Sequence, residues 1–484
     1  MNREYERIQN LIKKAESEAV SDENCHYRLG FHIMPPTGWL NDPNGLCQLG
    51  DTYHLFFQYS PLDARGGMKV WGHYMTKDFC HITYAGAPFV PDASFDRDGV
   101  YSGSTYVDDN GMHIFYTGNA KLSGEHDFTT SGRRADTVLV ESRDGIHFSP
   151  KQVVINTDDY PEHYSCHIRD PKVWQENGMY YMVLGGRTRE DEGRILLYTS
   201  ADLLNWSLLK ELAAKEHFAY MWECPDLFCL NDKYILSFSP QGLEKREFMY
   251  QNIYQSGYFV SDYNPVTEDV VFDESRFYEW DMGFDFYAPQ TFLDAKGRRI
   301  LIGWAGVPDA EYFNREVEAE NWQHCFTVPR RLAIRTDEHT GVTKVYQQPV
   351  SEITALRGER QICGGNAVME LDSEYWDIEC NGLPEKFAIT IAEGVKFSYN
   401  GSYLALTLTE ETGCGRDIRK CLVSGVHSVR ILVDSSILEY YVNDGEVVFT
   451  TRYYKREKGT KLAFDCGNAD IALYPMGRIT VDAL

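Results

Sequence analysis

The 484-residue sequence predicts an all-β fold, a five-bladed β-propeller followed by a C-terminal β-sandwich. A strand, a turn with Asp, Asn or Gly and a second strand recur as a unit five times before residue 335. Short strands of alternating apolar residues follow beyond residue 359, without helical periodicity. Aromatic residues, which suit pleated sheets, make up 14% of the chain. We therefore predict a propeller over residues 28–335, a linker over 336–358 and a sandwich over 359–484.

Residues 1–27 combine charged residues with Ile8, Leu11 and Ile12, which predicts a helical extension. This segment lacks an apolar run of signal-peptide length, and no other stretch is long enough to span a membrane. We therefore expect a cytoplasmic protein without a membrane partner. A formal charge of −25 would repel phosphates, so we expect no nucleic-acid partner.

The twelve cysteines include no CxxC pair, so we expect free, mostly buried thiols, no metal site and no cofactor. The sequence leaves the oligomeric state open, with a homodimer as one option.

The five copies of the repeat start about 54 to 68 residues apart, a spacing that suits four-stranded blades with long loops. They begin at Leu46, Ser104, Lys172, Asp226 and Thr291. Hairpins occur in any β protein, and five chance matches are the simplest alternative. The regular spacing over the first two thirds of the chain favours the propeller.

A compact polar motif precedes the turn of every copy by eight to ten residues. The innermost strands of a propeller line its central axis, so equivalent positions converge at one end of the channel. We therefore expect Asp42, Ser102, Asp170, Glu223 and Tyr287 to form a ring. The motifs are Asn41–Gly45 (NDPNG), Tyr101–Ser104 (YSGS), Arg169–Pro171 (RDP), Glu223–Asp226 (ECPD) and Tyr287–Gln290 (YAPQ).

Three carboxylates in one pocket repel each other and are costly to desolvate, so they are tolerated mainly where function needs them. Cleavage of a glycosidic bond needs two carboxyl groups, one to protonate the leaving oxygen and one to attack or to activate water. Their separation decides between retention and inversion, and the sequence does not give it. Taken singly, Asp42 would also fit a turn, Asp170 an ion pair with Arg169, and Glu223 a buried acid bonded to a backbone amide.

The motifs resemble those of glycoside hydrolase family 32 over nearly the whole chain. The resemblance implies a propeller and sandwich, and retaining hydrolysis of β-fructofuranosides such as sucrose or sucrose 6-phosphate. It implies Asp42 as nucleophile, Glu223 as acid/base, and Asp170 with Arg169 as the group that stabilises the transition state. The matching segments are His32–Gly45, Trp71–His73 (WGH), Tyr101–Ser104, Arg169–Pro171, Met221–Asp226 (MWECPD), Phe238–Gly242 (FSPQG), Asp285–Gln290, Cys325–Arg330 (CFTVPR), Val433–Ser436 and Asn443–Gly445.

Ten further positions resemble the sugar contacts of the family. They are Trp39, Leu40, Asn41, Gln58, Trp71, Tyr101, Ser102, Arg169, Tyr287 and Trp304. We expect hydrogen bonds from Asn41 or Ser102 to keep the pKa of Asp42 low.

Burial beside Trp222 and repulsion from the two Asp residues should keep Glu223 protonated. If the substrate carries a phosphate, the loop residues Arg65, Lys69 and Arg97 are candidate bases for its recognition; the alternative is that they are solvated surface residues.

Three other functions compete with hydrolysis of sucrose. An exo-acting fructan hydrolase would share the family, but the missing signal peptide disfavours a polymeric substrate. An inverting five-bladed glycosidase would share the architecture and differ in carboxylate spacing. A non-catalytic carbohydrate-binding propeller is disfavoured because Asp42, Asp170 and Glu223 occur together.

Overall fold

The computed structural model describes residues 3–20, 25–338 and 340–484. Residues 1, 2 and 21–24 of the predicted helical extension lie outside the described residues, as does residue 339 of the predicted linker. Strands dominate, and the chain is all-β. No helix in the described ranges is both long and apolar enough to cross a membrane.

The first part of the chain contains strands β1 to β22. Their bounds are β1 Gly38–Leu49, β2 Thr52–Ser60, β3 Val70–Thr76, β4 His81–Tyr84, β5 Val100–Asp108, β6 Gly111–Lys121, β7 Arg133–Ser142, β8 Gln152–Ile155, β9 Tyr164–Glu176, β10 Met179–Thr188, β11 Gly193–Ser200, β12 Ser207–Ala214, β13 Met221–Leu230, β14 Lys233–Gln241, β15 Gly257–Ser261, β16 Val271–Phe272, β17 Tyr278–Glu279, β18 Tyr287–Leu293, β19 Arg299–Trp304, β20 Trp322–Gln323, β21 Arg330–Thr336 and β22 Thr343–Pro349.

The second part contains strands β23 to β35, and the helices are short apart from the first. The strands are β23 Gln361–Gly364, β24 Val368–Leu371, β25 Tyr375–Asn381, β26 Phe387–Ile391, β27 Val395–Tyr399, β28 Tyr403–Leu408, β29 Ile418–Leu422, β30 Ser428–Asp434, β31 Ile437–Val442, β32 Val447–Arg452, β33 Thr460–Asp465, β34 Asp470–Pro475 and β35 Thr480–Ala483. The helices are α1 Arg3–Ser17, α2 Arg315–Glu318 and α3 Glu410–Gly413, with 3-10 turns at Thr157–Asp159, Glu274–Arg276, Ser351–Leu356 and Asn443–Gly445.

Within the described residues, strands β1 to β22 are distributed over five sheets. Their orders are β20-β1-β2-β3-β4-β35, β5-β6-β7-β8, β9-β10-β11-β12-β16, β13-β14-β15-β17 and β18-β19-β21-β22. The five predicted hairpins are confirmed, because β1, β5, β9, β13 and β18 each pair antiparallel with the next strand. These five strands contact each other in chain order, and β18 contacts β1. They are called the inner strands below.

Two boundaries differ from the predicted ones. Strand β22 lies in the predicted linker 336–358 and pairs with β21 in the fifth sheet. Its polar residues Gln347 and Gln348 suggest a loop, yet alternate residues such as Val345 and Gln347 are buried. Strand β35, at the end of the predicted sandwich segment, pairs in parallel with β4 of the first sheet.

Helix α1 forms because Ile8 and Ile12, one helical turn apart, give it an apolar face. Both side chains are buried in the same core as the first sheet. The helix is fixed further by Glu16, whose carboxylate accepts hydrogen bonds from the hydroxyls of Tyr59 and Tyr84.

Strands β23 to β34 form two six-stranded sheets that pack face to face as a β-sandwich. Their orders are β23-β34-β25-β30-β31-β32 and β24-β33-β26-β27-β28-β29. Ile378 from one sheet and Ile389 from the other lie in one hydrophobic core, where the rings of Phe397 and Tyr440 stack with centroids 4.4 Å apart. The alternating strands of the sequence thus bury one face each.

A buried charge network joins the sandwich to the first part of the chain. His32 bonds through Nδ1 to Asp434 (2.7 Å) and through Nε2 to Glu439 (2.9 Å). Burial would lower the pKa of His32, but these two carboxylates raise it to about 9. Arg330 on β21 donates to Glu439 at 2.7 Å and to Asp281 at 3.2 Å. Two cations of the first part, His32 and Arg330, therefore pair with buried anions of the sandwich, Asp434 and Glu439.

Breaking this network should destabilise the fold. Glu439→Gln leaves Arg330 and protonated His32 short of one negative charge in a buried site, so we expect a loss of about 3 kcal/mol in unfolding free energy. Urea denaturation measures it. Glu393→Gln is the matched control, because Glu393 pairs with Lys461 on the surface and should change stability by about 0–1 kcal/mol. Equal losses in the two variants would contradict the role of the network.

Candidate active site

Each inner strand departs from regular pairing where its polar motif lies. On β9 the register with β10 shifts between Arg169 and Lys172, and on β13 the register with β14 shifts between Glu223 and Asp226. Corresponding shifts occur in β1, β5 and β18. Asp170 and Cys224 have positive φ values of 64° and 48° at these points. Such β-bulges re-aim side chains, and here they turn the motif residues toward one pocket.

The pocket has a volume of about 320 Å³ and brings together most of the predicted site. All five members of the predicted ring line it. The predicted residues in its lining are Trp39, Asn41, Asp42, Gln58, Tyr101, Ser102, Arg169, Asp170, Glu223, Tyr287 and Trp304.

Asp42 is held by the two predicted neighbours. Ser102 Oγ donates to Asp42 Oδ2 at 2.5 Å, and Asn41 Nδ2 donates to Asp42 Oδ1 at 3.0 Å. Desolvation in the pocket nevertheless raises the pKa of Asp42, and it outweighs the two hydrogen bonds. The expected low pKa is therefore wrong, because the sequence reveals the hydrogen-bond donors but not the loss of water.

Asp170 is only 3% exposed and lies against Cys224. The backbone N–H of Cys224 donates to Asp170 Oδ2 at 2.9 Å, and the thiol lies 3.6 Å from the same oxygen and 3.9 Å from Asp42 Oδ2. Burial raises the pKa of Asp170 to about 7, with Arg169 opposing the shift and Glu223 and Asp42 adding to it. Asp170 therefore titrates close to neutral pH.

Glu223 is fixed by three donors. Arg169 Nε donates to Oε1 at 3.1 Å, the Tyr287 hydroxyl donates to Oε2 at 2.7 Å, and Gln241 Nε2 donates to Oε2 at 2.8 Å. The sequence paired Arg169 with Asp170, but Arg169 Nε is 3.9 Å from Asp170 Oδ2. The guanidinium thus binds Glu223 first and lies beside Asp170.

Leu40 and Trp71 are predicted contacts that the structure places outside the pocket lining. Leu40 alternates with Trp39 and Asn41 along β1, so its side chain points to the opposite face and is buried in a hydrophobic core. Trp71 on β3 is buried in a core behind the wall, where its Nε1 donates to the backbone oxygen of Tyr101.

Two basic residues line the pocket beside Arg169. Lys69 was one of three candidate bases, and its Nζ donates to Asn41 Oδ1 at 2.8 Å. Arg133, at the start of β7, was not anticipated, because no motif marks it. The other candidates lie elsewhere: Arg65 pairs with Asp63, and Arg97 contacts Asp98. Gln241 was also missed as a site residue, although the sequence motif Phe238–Gly242 contains it.

Models of known protein domains match most of the chain. The model of the glycosyl hydrolases family 32 N-terminal domain matches residues 32–349, and that of the family 32 C-terminal region matches residues 396–474. The sucrose-6-phosphate hydrolase of Bacillus subtilis is 38% identical over 460 residues, which cover 92% of this chain and 91% of that protein.

The chain belongs to glycosyl hydrolase family 32. Two solved structures are similar over nearly their whole length, each at 28% identity. Sucrose-6-phosphate hydrolase from Lactobacillus gasseri has a TM-score of 0.83 and covers 97% of both chains. A mutant Bombyx mori β-fructofuranosidase in complex with sucrose has a TM-score of 0.84 and covers 100% of both chains.

The titration of Asp170 should be visible in stability. Its folded pKa of about 7 lies above the unfolded value, so its contribution is present at low pH and is lost as the pH rises from about 4 to 7. Asp170→Asn keeps a left-handed backbone that Asn tolerates and removes the charge. At about pH 8 we expect the unfolding free energy of this variant to exceed that of the parent by up to about 4 kcal/mol, because each unit of the pKa shift corresponds to about 1.4 kcal/mol; near pH 4 the difference should vanish.

Urea denaturation across this pH range measures the effect. Asp191→Asn is the matched control, because Asp191 also has positive φ but is exposed and paired with Arg187. Its stability difference from the parent should not depend on the titration of the pocket. If the difference in unfolding free energy between Asp170→Asn and the parent did not change with pH, the pKa of the Asp170 carboxyl group would not be raised.

Proposed function

We propose that the chain hydrolyses the β-fructofuranosidic bond of sucrose or sucrose 6-phosphate with retention. Asp42 is the nucleophile, Glu223 the acid/base and Asp170 the residue that binds the fructosyl hydroxyls and stabilises the transition state. The observation that carries the proposal is the meeting of these three carboxyl groups in one pocket of about 320 Å³. Membership of family 32 and the sucrose bound to the Bombyx mori relative support the choice of sugar.

In the first step a carboxylate oxygen of Asp42 attacks the anomeric carbon, and the bond from that carbon to the glycosidic oxygen breaks. Ser102 and Asn41 aim the Asp42 carboxylate. Glu223 gives its proton to the departing oxygen, which leaves as a hydroxyl of the glucosyl unit.

In the second step Glu223, now a carboxylate, takes a proton from water, and the water oxygen attacks the anomeric carbon. The ester bond to Asp42 breaks, and fructose leaves with its original configuration. Tyr287 and Gln241 hold Glu223 in place through both steps. Trp304 lines the same pocket, and its buried Nε1 has no hydrogen-bond partner among the described residues.

The five sheets of residues 38–349 are, in this proposal, the blades of a five-bladed propeller whose inner strands surround the pocket. The ordered contacts from β1 to β18 and back to β1 support five blades. The sandwich supports the catalytic domain through the network around His32. Because a sugar phosphate does not cross a membrane unaided, we place the reaction in the cytoplasm.

Lys69 and Arg133 are proposed to recognise the 6-phosphate of a phosphorylated substrate. Neither base forms an ion pair with a described carboxylate, whereas Arg169 is neutralised by Glu223. Arg133 lies over the Tyr101 ring, 5.8 Å from its centroid, and its Nε is buried without a partner. Two such cations at the edge of a pocket favour an anionic substrate group.

Removing either proposed catalytic group should abolish turnover. We expect Asp42→Asn and Glu223→Gln each to lower kcat for sucrose by about a thousandfold or more, because neither amide can replace the carboxyl group in bond making or proton transfer. Release of reducing sugar measures the rate. Asp191→Asn and Glu393→Gln make the same changes at exposed positions and should retain activity. Substantial sucrose hydrolysis by Asp42→Asn or Glu223→Gln would contradict the catalytic role proposed for that residue.

Arg133→Gln should lower the preference for a phosphorylated substrate. One charge-assisted hydrogen bond contributes about 1.5–3 kcal/mol, so the ratio of kcat/KM for sucrose 6-phosphate to that for sucrose should fall about tenfold or more. Arg97→Gln is the matched control, because Arg97 contacts Asp98 outside the pocket. An unchanged ratio in Arg133→Gln would remove Arg133 from phosphate recognition.

A further inference from the structure

A second cavity, of about 580 Å³, opens further along the same inner strands. Strand β9 carries Asp170 in the active-site pocket and Lys172 in this cavity, and β13 carries Glu223 and Asp226 in the same way. Two to four residues along a strand correspond to roughly 7–13 Å, so the two sites lie at successive levels of the inner strands. None of the lining residues is shared between them.

Lys172, Asp226 and Thr291 line the cavity and bond to each other, but one oxygen of Asp226 has no partner among the described residues. Lys172 Nζ lies 3.3 Å from Asp226 Oδ2, which also accepts from the backbone N–H and the hydroxyl of Thr291 at 2.8 and 2.7 Å. The other oxygen, Asp226 Oδ1, has no hydrogen-bond partner among the described residues, although Asp226 is only 1% exposed. A buried acceptor without a partner is unfavourable, and a ligand donor that bonded to it would relieve this cost.

Arg299 supplies the complementary half of the site. Its Nε is buried without a hydrogen-bond partner in the described chain, and its guanidinium lies over the Phe228 ring, 4.7 Å from the centroid. Asp226 and Arg299 both line the cavity, so its wall contains a buried acceptor and a buried donor that are without hydrogen-bond partners in the described residues. A hydroxyl group both donates and accepts hydrogen bonds, so a molecule with several hydroxyls satisfies the two together.

The charges and the aromatic residues in the cavity lining restrict the class of ligand further. The two cations in the lining, Lys172 and Arg299, are balanced by Asp226 and Glu176, so no net charge selects an ion. Aromatic rings pack well against the C–H side of a sugar ring. The lining contains five aromatic residues, of which Phe228 already has Arg299 over its ring: Tyr106, Trp174, Phe228, Tyr234 and Phe292. The volume lies in the range of small-molecule sites.

We propose that this cavity binds a neutral hexose unit, as a free monosaccharide or as part of sucrose, without cleaving it. Cleavage would need a nucleophile and an acid flanking the sugar. Asp226 is instead tied to Lys172 and Thr291, and Glu176 accepts a hydrogen bond from Asn264 Nδ2 at 2.9 Å. This binding site is separate from the active-site pocket, and the proposal does not depend on the proposed hydrolysis.

Fluorine NMR of the full chain labelled with 5-fluorotryptophan tests the site directly. Trp174 lines the cavity and Trp39 lines the active-site pocket, so each resonance reports one site. Trp174→Phe and Trp39→Phe identify the two signals. We expect the Trp174 resonance to shift saturably on titration with glucose, fructose or, in the Asp42→Asn variant, sucrose.

Val107→Phe places a larger side chain at the cavity wall and should abolish the shift of Trp174 while leaving that of Trp39. Val368→Phe makes the same change on the exposed surface of the sandwich and should retain both. A Trp174 signal that stays fixed up to the solubility limit of the sugar overturns the proposal. A shift that survives in Val107→Phe, or that only glucose 6-phosphate produces, overturns it as well. A silent Trp39 would instead count against the proposed function.

Discussion

The active-site pocket depends on one electrostatic balance, that between three crowded carboxyl groups and the Arg169 guanidinium. Desolvation raises the pKa of Asp42 and of Asp170, the negative charge of Glu223 adds to both shifts, and that of Asp42 adds to the shift of Asp170. Arg169 offsets part of this by binding Glu223 and lying beside Asp170. A charge so buried is stable only with its partners in place. The arrangement of donors around the acids, more than the acids themselves, therefore determines the geometry of the site.

That arrangement in turn depends on irregular strands. A regular strand would point successive side chains to opposite faces, and only every second residue could reach the pocket. The bulges at the polar motifs break this alternation, which lets Arg169 and its neighbour Asp170 both line the pocket. Beyond each bulge the regular pattern resumes, and the next inward residues, such as Lys172 and Asp226, reach the second cavity. The β-bulge that recurs in the inner strands thus separates the residues of the active-site pocket from those of the second cavity.

The sequence predicts the parts of this design that are local. Turns with Asp, Asn or Gly identify all five inner hairpins, and aligning them selects Asp42, Asp170 and Glu223 at once. What it misses depends on contacts between distant residues. Arg133 reaches the pocket from β7, the third strand of the second sheet, with no motif around it. Strand β35 pairs with β4 although some 400 residues separate them, and no local pattern in either strand indicates the other.

The wrong expectation for Asp42 is the most informative, because it concerns a quantity rather than a position. Its two hydrogen-bond donors are where the sequence placed them, yet desolvation outweighs them and raises its pKa. A poorly solvated carboxylate loses less solvation when it forms a bond to carbon than one surrounded by water. Ser102 and Asn41 then act chiefly to aim Asp42, while Lys69, bonded to Asn41, adds the positive field that keeps an ionised form accessible. The desolvation that raises the pKa of Asp42 thus also favours its attack on the anomeric carbon once Asp42 is ionised.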